Sequence, residues 1–230
     1  MVLLRMPLSL SKYSSEFLGT FALVFAGTGA IIINDISGGA ITHLGVGLVF
    51  GLIIMTMIYA LGEVSGAHFN PAVSFGFWIA GKLPSQELLA YIASQVLGAL
   101  TASTILRSIF PQHKTLGATM PHFVSTCGDF FLEAMLTFFL MFVIIRVAQG
   151  AKEKGLMAGV AIGGMVGLEA IFAGPVTGAS MNPARSLAPA IISGQMDYLW
   201  VYLTAPFLGA AIAVGSDRLI RKGNLLVGHK

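Results

Sequence analysis

The chain has 230 residues, 56% of them hydrophobic and only 10% charged, with a mean hydropathy of +0.84. A soluble domain carries roughly 25% charged residues, so this composition points to an integral membrane protein whose main solvent is lipid. The net charge of +3 is dispersed and reads as a topology signal rather than a nucleic-acid footprint, and the single cysteine, Cys127, excludes an intrachain disulfide or a cysteine metal cluster.

The first eleven residues, Met1 to Ser11, contain Pro7 and lack a small-residue cleavage site, so no secretory signal is expected. The first apolar span covers 13–33 and carries Glu16; the second covers 44–62 and carries Gly47 and Gly51. Next comes "SGAHFNPAVSFG", Ser65 to Gly76, whose apolar part, 71–80, is too short to cross roughly 30 Å of hydrocarbon. The third span, 87–107, contains Leu97-Gly98-Ala99, and the fourth, 127–148, has Glu133 near its start. The fifth, 156–173, holds Gly159, Gly163, Gly167 and Glu169. It leads into "TGASMNPARSLAPA", Thr177 to Ala190, with a second short apolar piece at 183–192, and the sixth span, 197–220, contains Leu208-Gly209-Ala210.

Both short pieces begin at a proline, which suits a first helical turn. They read as re-entrant half-helices, tolerated at membrane depth only where protein or a wet cavity receives their free ends. The fold class is therefore all-α and integral to the membrane, with six spanning helices and two half-helices in one domain over 1–230. Residues 65–72 align with 177–184 at an offset of 112, which also carries Gly47 onto Gly159 and Gly51 onto Gly163. Glu16 meets Glu133 at 117, and Leu97-Gly98-Ala99 has Leu208-Gly209-Ala210 as its counterpart. Three spans per half require the second copy, about 125–225, to insert upside down relative to the first, about 11–110. Such inverted repeats point to a pathway at their interface near the midplane. With the N-terminus inside, the inner side holds Arg5, Lys12, Lys82, Arg146, Lys152, Lys154, Arg218, Arg221, Lys222 and Lys230. The outer side keeps only Arg107, Lys114 and Arg185, a clear bias that places both termini in the cytoplasm.

Each half-helix leaves unpaired N–H groups at its start, with an effective charge of roughly +0.5. Two such ends meeting near the midplane repel protons and cations, and Asn70 and Asn182 add side-chain donors there. Gly66-Ala67-His68 and Gly178-Ala179-Ser180 are expected to run extended and present carbonyl oxygens along a lumen, replacing hydration for a neutral solute but not for a bare ion.

The paired motifs Asn70-Pro71-Ala72 and Asn182-Pro183-Ala184, the six spans and Arg185 resemble the aquaporin (major intrinsic protein) family over about residues 13–220. The resemblance implies a homotetramer with one pore per subunit, no cofactor, and an outer selectivity filter at the matching positions Phe50, Ala170, Ala179 and Arg185. Strict water channels place histidine where Ala170 stands, so a wider and less polar opening is expected. Glycerol facilitators usually continue the second motif with Arg-Asp, whereas this chain has Arg185-Ser186, and Ala190 replaces a later basic residue. "WVYLTAPFLG" and "AGPVTGASMNPARSL" instead resemble the nodulin-26-like branch and its bacterial relatives, although Phe50 departs from that branch's usual tryptophan or small residue. The resemblance implies water, glycerol-like polyols, ammonia and metalloid hydroxides as solutes.

Several residues carry a plainer reading beside a sharper one. Glu16 and Glu133 are read as acceptors for loop N–H groups in preference to a proton relay, as in similar family members. Glu169 is either a satisfied structural group or a side chain reaching the lumen. The glycines of spans two and five, including Gly155, read as close-crossing steps. His68 is either a gate or a loop residue whose ring packs nearby. Cys127 reads as a small packing residue near the outer face, and His43, His113, His122 and His229 lack metal-ligand spacing. The function expected is a passive channel for water and small uncharged solutes; a strict water channel and, further off, an ion-coupled transporter are the alternatives. The latter lacks acidic neighbours beside the asparagines. A closed scaffold is opposed by small residues throughout both loops, and no nucleophile–base pair, Walker loop or metal-hydrolase spacing suggests an enzyme. Short connecting loops suit a prokaryotic inner membrane.

Overall fold

Eight helices follow one another among the residues that the computed structural model describes, 8–122, 125–148 and 156–227, with no strand among them. They are α1 (Leu8–Ile36), α2 (Thr42–Ser65), α3 (Pro71–Ile79), α4 (Ser85–Ile109), α5 (Thr126–Ala148), α6 (Ala158–Thr177), α7 (Pro183–Ser193) and α8 (Leu199–Val227). Arg5, Pro7, Lys152, Lys154, Gly155, His229, Lys230 and the Lys222 side chain lie outside the described residues. Six of the helices are long and apolar enough to cross a membrane. The other two, α3 with 9 residues and α7 with 11, cover together about 30 Å at the usual rise, one hydrocarbon thickness.

The helix limits differ from the expected spans where hydrogen bonding outlasts apolarity. α6 continues to Thr177 rather than 173, passing through Pro175. A proline there cannot bond the carbonyl four residues back, and His43 Nε2 lies 2.6 Å from that freed Ile171 oxygen. α8 runs past 220 because the polar turns after Ile220 keep their helical bonds without needing lipid.

Glycine decides how the spans pack. The principal pairs are α2 with α6, α5 with α8, and α1 with α4. A Cβ on Gly51 would sit 2.6 Å from the Gly163 carbonyl oxygen, and one on Gly163 would sit 2.5 Å from that of Gly51. At the other crossings a Cβ on Gly98 would lie 2.2 Å from the Phe17 oxygen, and one on Gly209 2.2 Å from the Ala134 oxygen. Backbones this close leave room for hydrogen alone. Lys12 pairs with Glu87 at 3.1 Å near the starts of α1 and α4, and Asp217 of α8 pairs with Arg146 at 3.3 Å near the end of α5 and with Arg221 at 2.7 Å. Partly exposed pairs contribute about 0–1 kcal/mol each, so packing rather than charge holds the bundle.

Candidate functional site

α2 and α6 each end on a glycine in the left-handed region, Gly66 at φ 84° and Gly178 at φ 83°, whose N–H bonds back to Gly62 or Gly174. The loops that follow are not extended, contrary to expectation. Ala67 and Phe69 take φ of 51° and 52°, and Ala179 and Met181 take 40° and 55°. Such backbone costs roughly 1–3 kcal/mol per residue and persists only when its surroundings over-determine it. Here a buried carboxylate does so, because the turned chain aims consecutive N–H groups at one point.

Glu16 Oε1 accepts from Ser65 Oγ at 2.7 Å and His68 N at 2.9 Å; its Oε2 accepts from Phe69 N at 2.7 Å and Gln95 Nε2 at 2.8 Å. Glu133 Oε1 accepts from Thr177 Oγ1 at 2.8 Å and Ser180 N at 2.9 Å, and its Oε2 from Met181 N at 2.9 Å. Tyr91 and Tyr202 brace the loops from behind, donating to the Ser65 and Thr177 carbonyls at 2.8 and 2.6 Å. Both glutamates are fully buried.

The two asparagines cap the half-helices and join them. Asn70 Oδ1 accepts from Ala72 N at 2.8 Å, and Asn182 Oδ1 from Ala184 N at 3.0 Å and Arg185 N at 3.2 Å. Each Nδ2 crosses to the opposite loop, Asn70 to the Met181 carbonyl at 2.7 Å and Asn182 to the Phe69 carbonyl at 2.9 Å. An amide nitrogen carries two hydrogens, so one remains on each.

Both asparagines line one cavity of about 410 Å³. Its wall holds Tyr59, Glu63 and Leu156; Leu23, Ile54, Val73, Leu140 and Val166 supply apolar surface; and Phe50, Ala170, Ala179 and Arg185 line it as well. Arg185 is 2% exposed, donates from Nη1 to the Gly117 carbonyl at 2.8 Å, and has its guanidinium carbon 5.1 Å from the Phe50 ring centre. Gly66, Ala67, His68 and Ser180 are on the wall as well, but Gly178 is not. It packs away from the lumen, where a Cβ would meet Thr119 Cγ2 at 3.1 Å, and Met181 lines the cavity in its place. The His68 ring stacks on Phe77 at 4.5 Å with Nδ1 3.0 Å from Ser74 Oγ.

Two further expectations are corrected. Glu169 does not line the cavity, and it is not satisfied either: it is fully buried with no partner for either oxygen among the described residues. Cys127 is exposed rather than packed, on the outward side of the first turn of α5, while Asp129 two residues on is buried. Among the described residues no group of three His, Cys, Asp or Glu could hold a metal.

Residues 4–215 match the major intrinsic protein family. The chain belongs to that family. It is thus an aquaporin-type channel and not an enzyme. Its curated relatives include Aquaporin NIP1-4 of Oryza sativa subsp. japonica, 46% identical over 96% of this chain and 81% of that protein. Nodulin-26 of Glycine max is 40% identical over 92% of this chain and 78% of its own length, which places the channel with the nodulin-26-like branch. Among solved structures, the aquaglyceroporin from Plasmodium falciparum superposes with a TM-score of 0.82 at 27% identity, covering 90% of this chain and 94% of that one.

Sequence reasoning missed several supports of this channel's lumen. Gln95, Ser74, Ser186, Tyr91 and Tyr202 were not singled out, although Ser74 and Ser186 share the 112 register and Tyr91 and Tyr202 that of Leu97 and Leu208. The same register test that paired Glu16 with Glu133 finds the two serines and the two tyrosines but not Gln95, which falls opposite Pro206. The Gly117 carbonyl had no sequence signal, because any residue supplies a carbonyl.

Proposed function

We propose a passive channel that conducts water and small uncharged polar solutes (glycerol-like polyols, ammonia and metalloid hydroxides) while excluding protons and ions. As an aquaporin-type channel it passes water and small solutes; the breadth of that set is the proposal. The observation carrying it is that Phe50 and Arg185, in contact with each other, line one cavity together with two methyl groups, Ala170 and Ala179. An aromatic face and two methyls accept a carbon skeleton, and the guanidinium offers directed donors to its hydroxyls and a fixed charge against cations. Deeper in, the remaining amide hydrogens of Asn70 and Asn182 take the oxygen of a passing molecule. The positive ends of α3 and α7 oppose a cation at the same point. Loop carbonyls on the wall receive the solute's own hydrogens.

The proposal includes a single channel domain of two inverted repeats, assembled as a homotetramer in the plasma membrane with both termini cytoplasmic, in a prokaryotic cell. Basic-residue asymmetry supports the orientation, and family resemblance supports the assembly. Stopped-flow swelling and shrinking of proteoliposomes with water, glycerol, urea and ammonia tests the solute range. Water, glycerol and ammonia fluxes above those of empty vesicles are expected; water flux without glycerol or ammonia flux contradicts the wide filter.

A further inference from the structure

Each half-helix ends toward a membrane face with carbonyls that lipid cannot satisfy. In α3 the turn that follows reaches three of the last four: Gly76 O accepts from Ala80 N at 3.0 Å, Phe77 O from Lys82 N at 2.8 Å, and Trp78 O from Gly81 N at 2.9 Å. The fourth, Ile79 O, accepts from Arg218 Nη2 of α8. In α7 the Gly194 N–H donates to the Ala190 carbonyl at 2.8 Å, and Arg107 Nη2 of α4 donates to Ile192 O at 3.3 Å. Arg107 Nη1 also ties the loop after α4, donating to Pro111 O at 3.2 Å and His113 O at 2.8 Å.

The two arginines are one feature written twice. The register that carries Tyr91 onto Tyr202 and Leu97 onto Leu208 also carries Arg107 onto Arg218. Their acceptors match to within one residue. At the register of the asparagines Ile79 falls on Ile191, and the bond is to Ile192, since α7 has 11 residues against 9 in α3. Both bonds cross the molecule: α4, in the first half of the chain, holds the half-helix of the second half, and α8 holds that of the first. Neither arginine pairs with a carboxylate among the described residues. Each cation instead meets the negative end of a half-helix dipole, where a positive charge is favourable.

At their other ends the half-helices are bonded crosswise too, Asn70 to the Met181 carbonyl and Asn182 to the Phe69 carbonyl. α3 and α7 are thus fastened at both ends to the opposite half of the chain. We propose that Arg107 and Arg218 clasp the far ends of the half-helices and thereby hold the two asparagines at the spacing that interrupts a proton chain. A short, straight helix passes a shift at its last turn on to its cap. Neither arginine is on the lumen wall, so both are positioning residues that act through the half-helices and never touch the solute. The flux readout of this inference rests on the channel reading given above; its exchange readout does not.

Amide hydrogen exchange of the full-length protein in detergent tests the clasp. Arg218→Met should speed exchange in residues 71–80 about tenfold and leave 183–194 unchanged, as expected for the loss of one charge-assisted bond. Arg107→Met should do the converse. The lysine variants keep a charge and one donor, so exchange in the same segments should rise only about twofold. In proteoliposomes each methionine variant should leak protons at least about threefold faster per unit of water flux than wild type. Arg221→Met, which loses a cation paired with Asp217, should keep the wild-type ratio. Exchange that rises equally in both half-helices, only in the half of the chain carrying the arginine, or in neither would overturn the clasp. A wild-type leak ratio in a variant whose half-helix has loosened would overturn the role in proton exclusion. If a methionine variant does not assemble, the lysine variant decides by the same crosswise pattern. If wild type conducts no water, the channel reading fails, and exchange alone decides whether the arginines clasp.

Discussion

In the proposed filter Ala170 is the residue on which solute range turns, because it lines the same cavity as Arg185 and Phe50. Ala170→His fills that wall with an imidazole; glycerol flux should fall to the level of empty vesicles while water flux survives, as read by stopped-flow light scattering. Equal loss of both fluxes would show that the variant blocks rather than narrows. Glu16 carries a stability prediction of a different kind. Its replacement by Leu removes the acceptor shared by four donors, three of them in buried hydrogen bonds, and stranded donors cost roughly 1–3 kcal/mol apiece. The thermal midpoint of detergent-solubilised Glu16→Leu should drop by well over 10 °C, about what several kcal/mol gives in a protein of this size; an unchanged midpoint contradicts the anchoring role. At this scale the sequence told which residue types mattered but not always where they face. The asparagines, prolines and glutamates were readable because the motif occurs twice in register. Gly178 and Met181 exchanged places on the lumen wall because backbone handedness at Ala179 and Met181 decides it, and left-handed alanine leaves no mark in a sequence.

Helix crossings set the second scale. Gly163 meets the Gly51 carbonyl with no room for a methyl, whereas a Cβ on neighbouring Gly164 meets nothing within 4 Å. Gly163→Val should therefore part α2 from α6 and destabilise the bundle by about 1–3 kcal/mol, while Gly164→Ala leaves the thermal midpoint within a degree or two. Similar midpoints for both variants would remove close crossing as the explanation. The number and order of helices were legible from apolar run length, and the half-helices from the proline that opens each. Their exact ends were not, since hydropathy reports contact with lipid and a helix ends where its hydrogen bonds do. The path of α6 through Pro175 depends on His43, distant in sequence, lying against the freed Ile171 carbonyl, which no local pattern discloses.

Across the whole molecule, two half-helices of 9 and 11 residues replace one span, and their asparagines lock each loop to the carbonyl of the other. That junction is why a cavity lined largely by apolar side chains still presents donors and positive helix ends at one depth. The repeat makes this arrangement legible in the sequence alone. The Gln95 amide, which bonds both Glu16 and Ser74 behind the first loop, left no mark in the sequence. This junction should pass water molecules while breaking their proton chain. The most direct measurement records osmotic water flux and internal pH together in proteoliposomes bearing a pH-sensitive dye, with a proton gradient imposed. Rapid water flux is expected with an internal pH that drifts no faster than in empty vesicles; water flux accompanied by a faster collapse of the gradient would rule out proton exclusion at the junction.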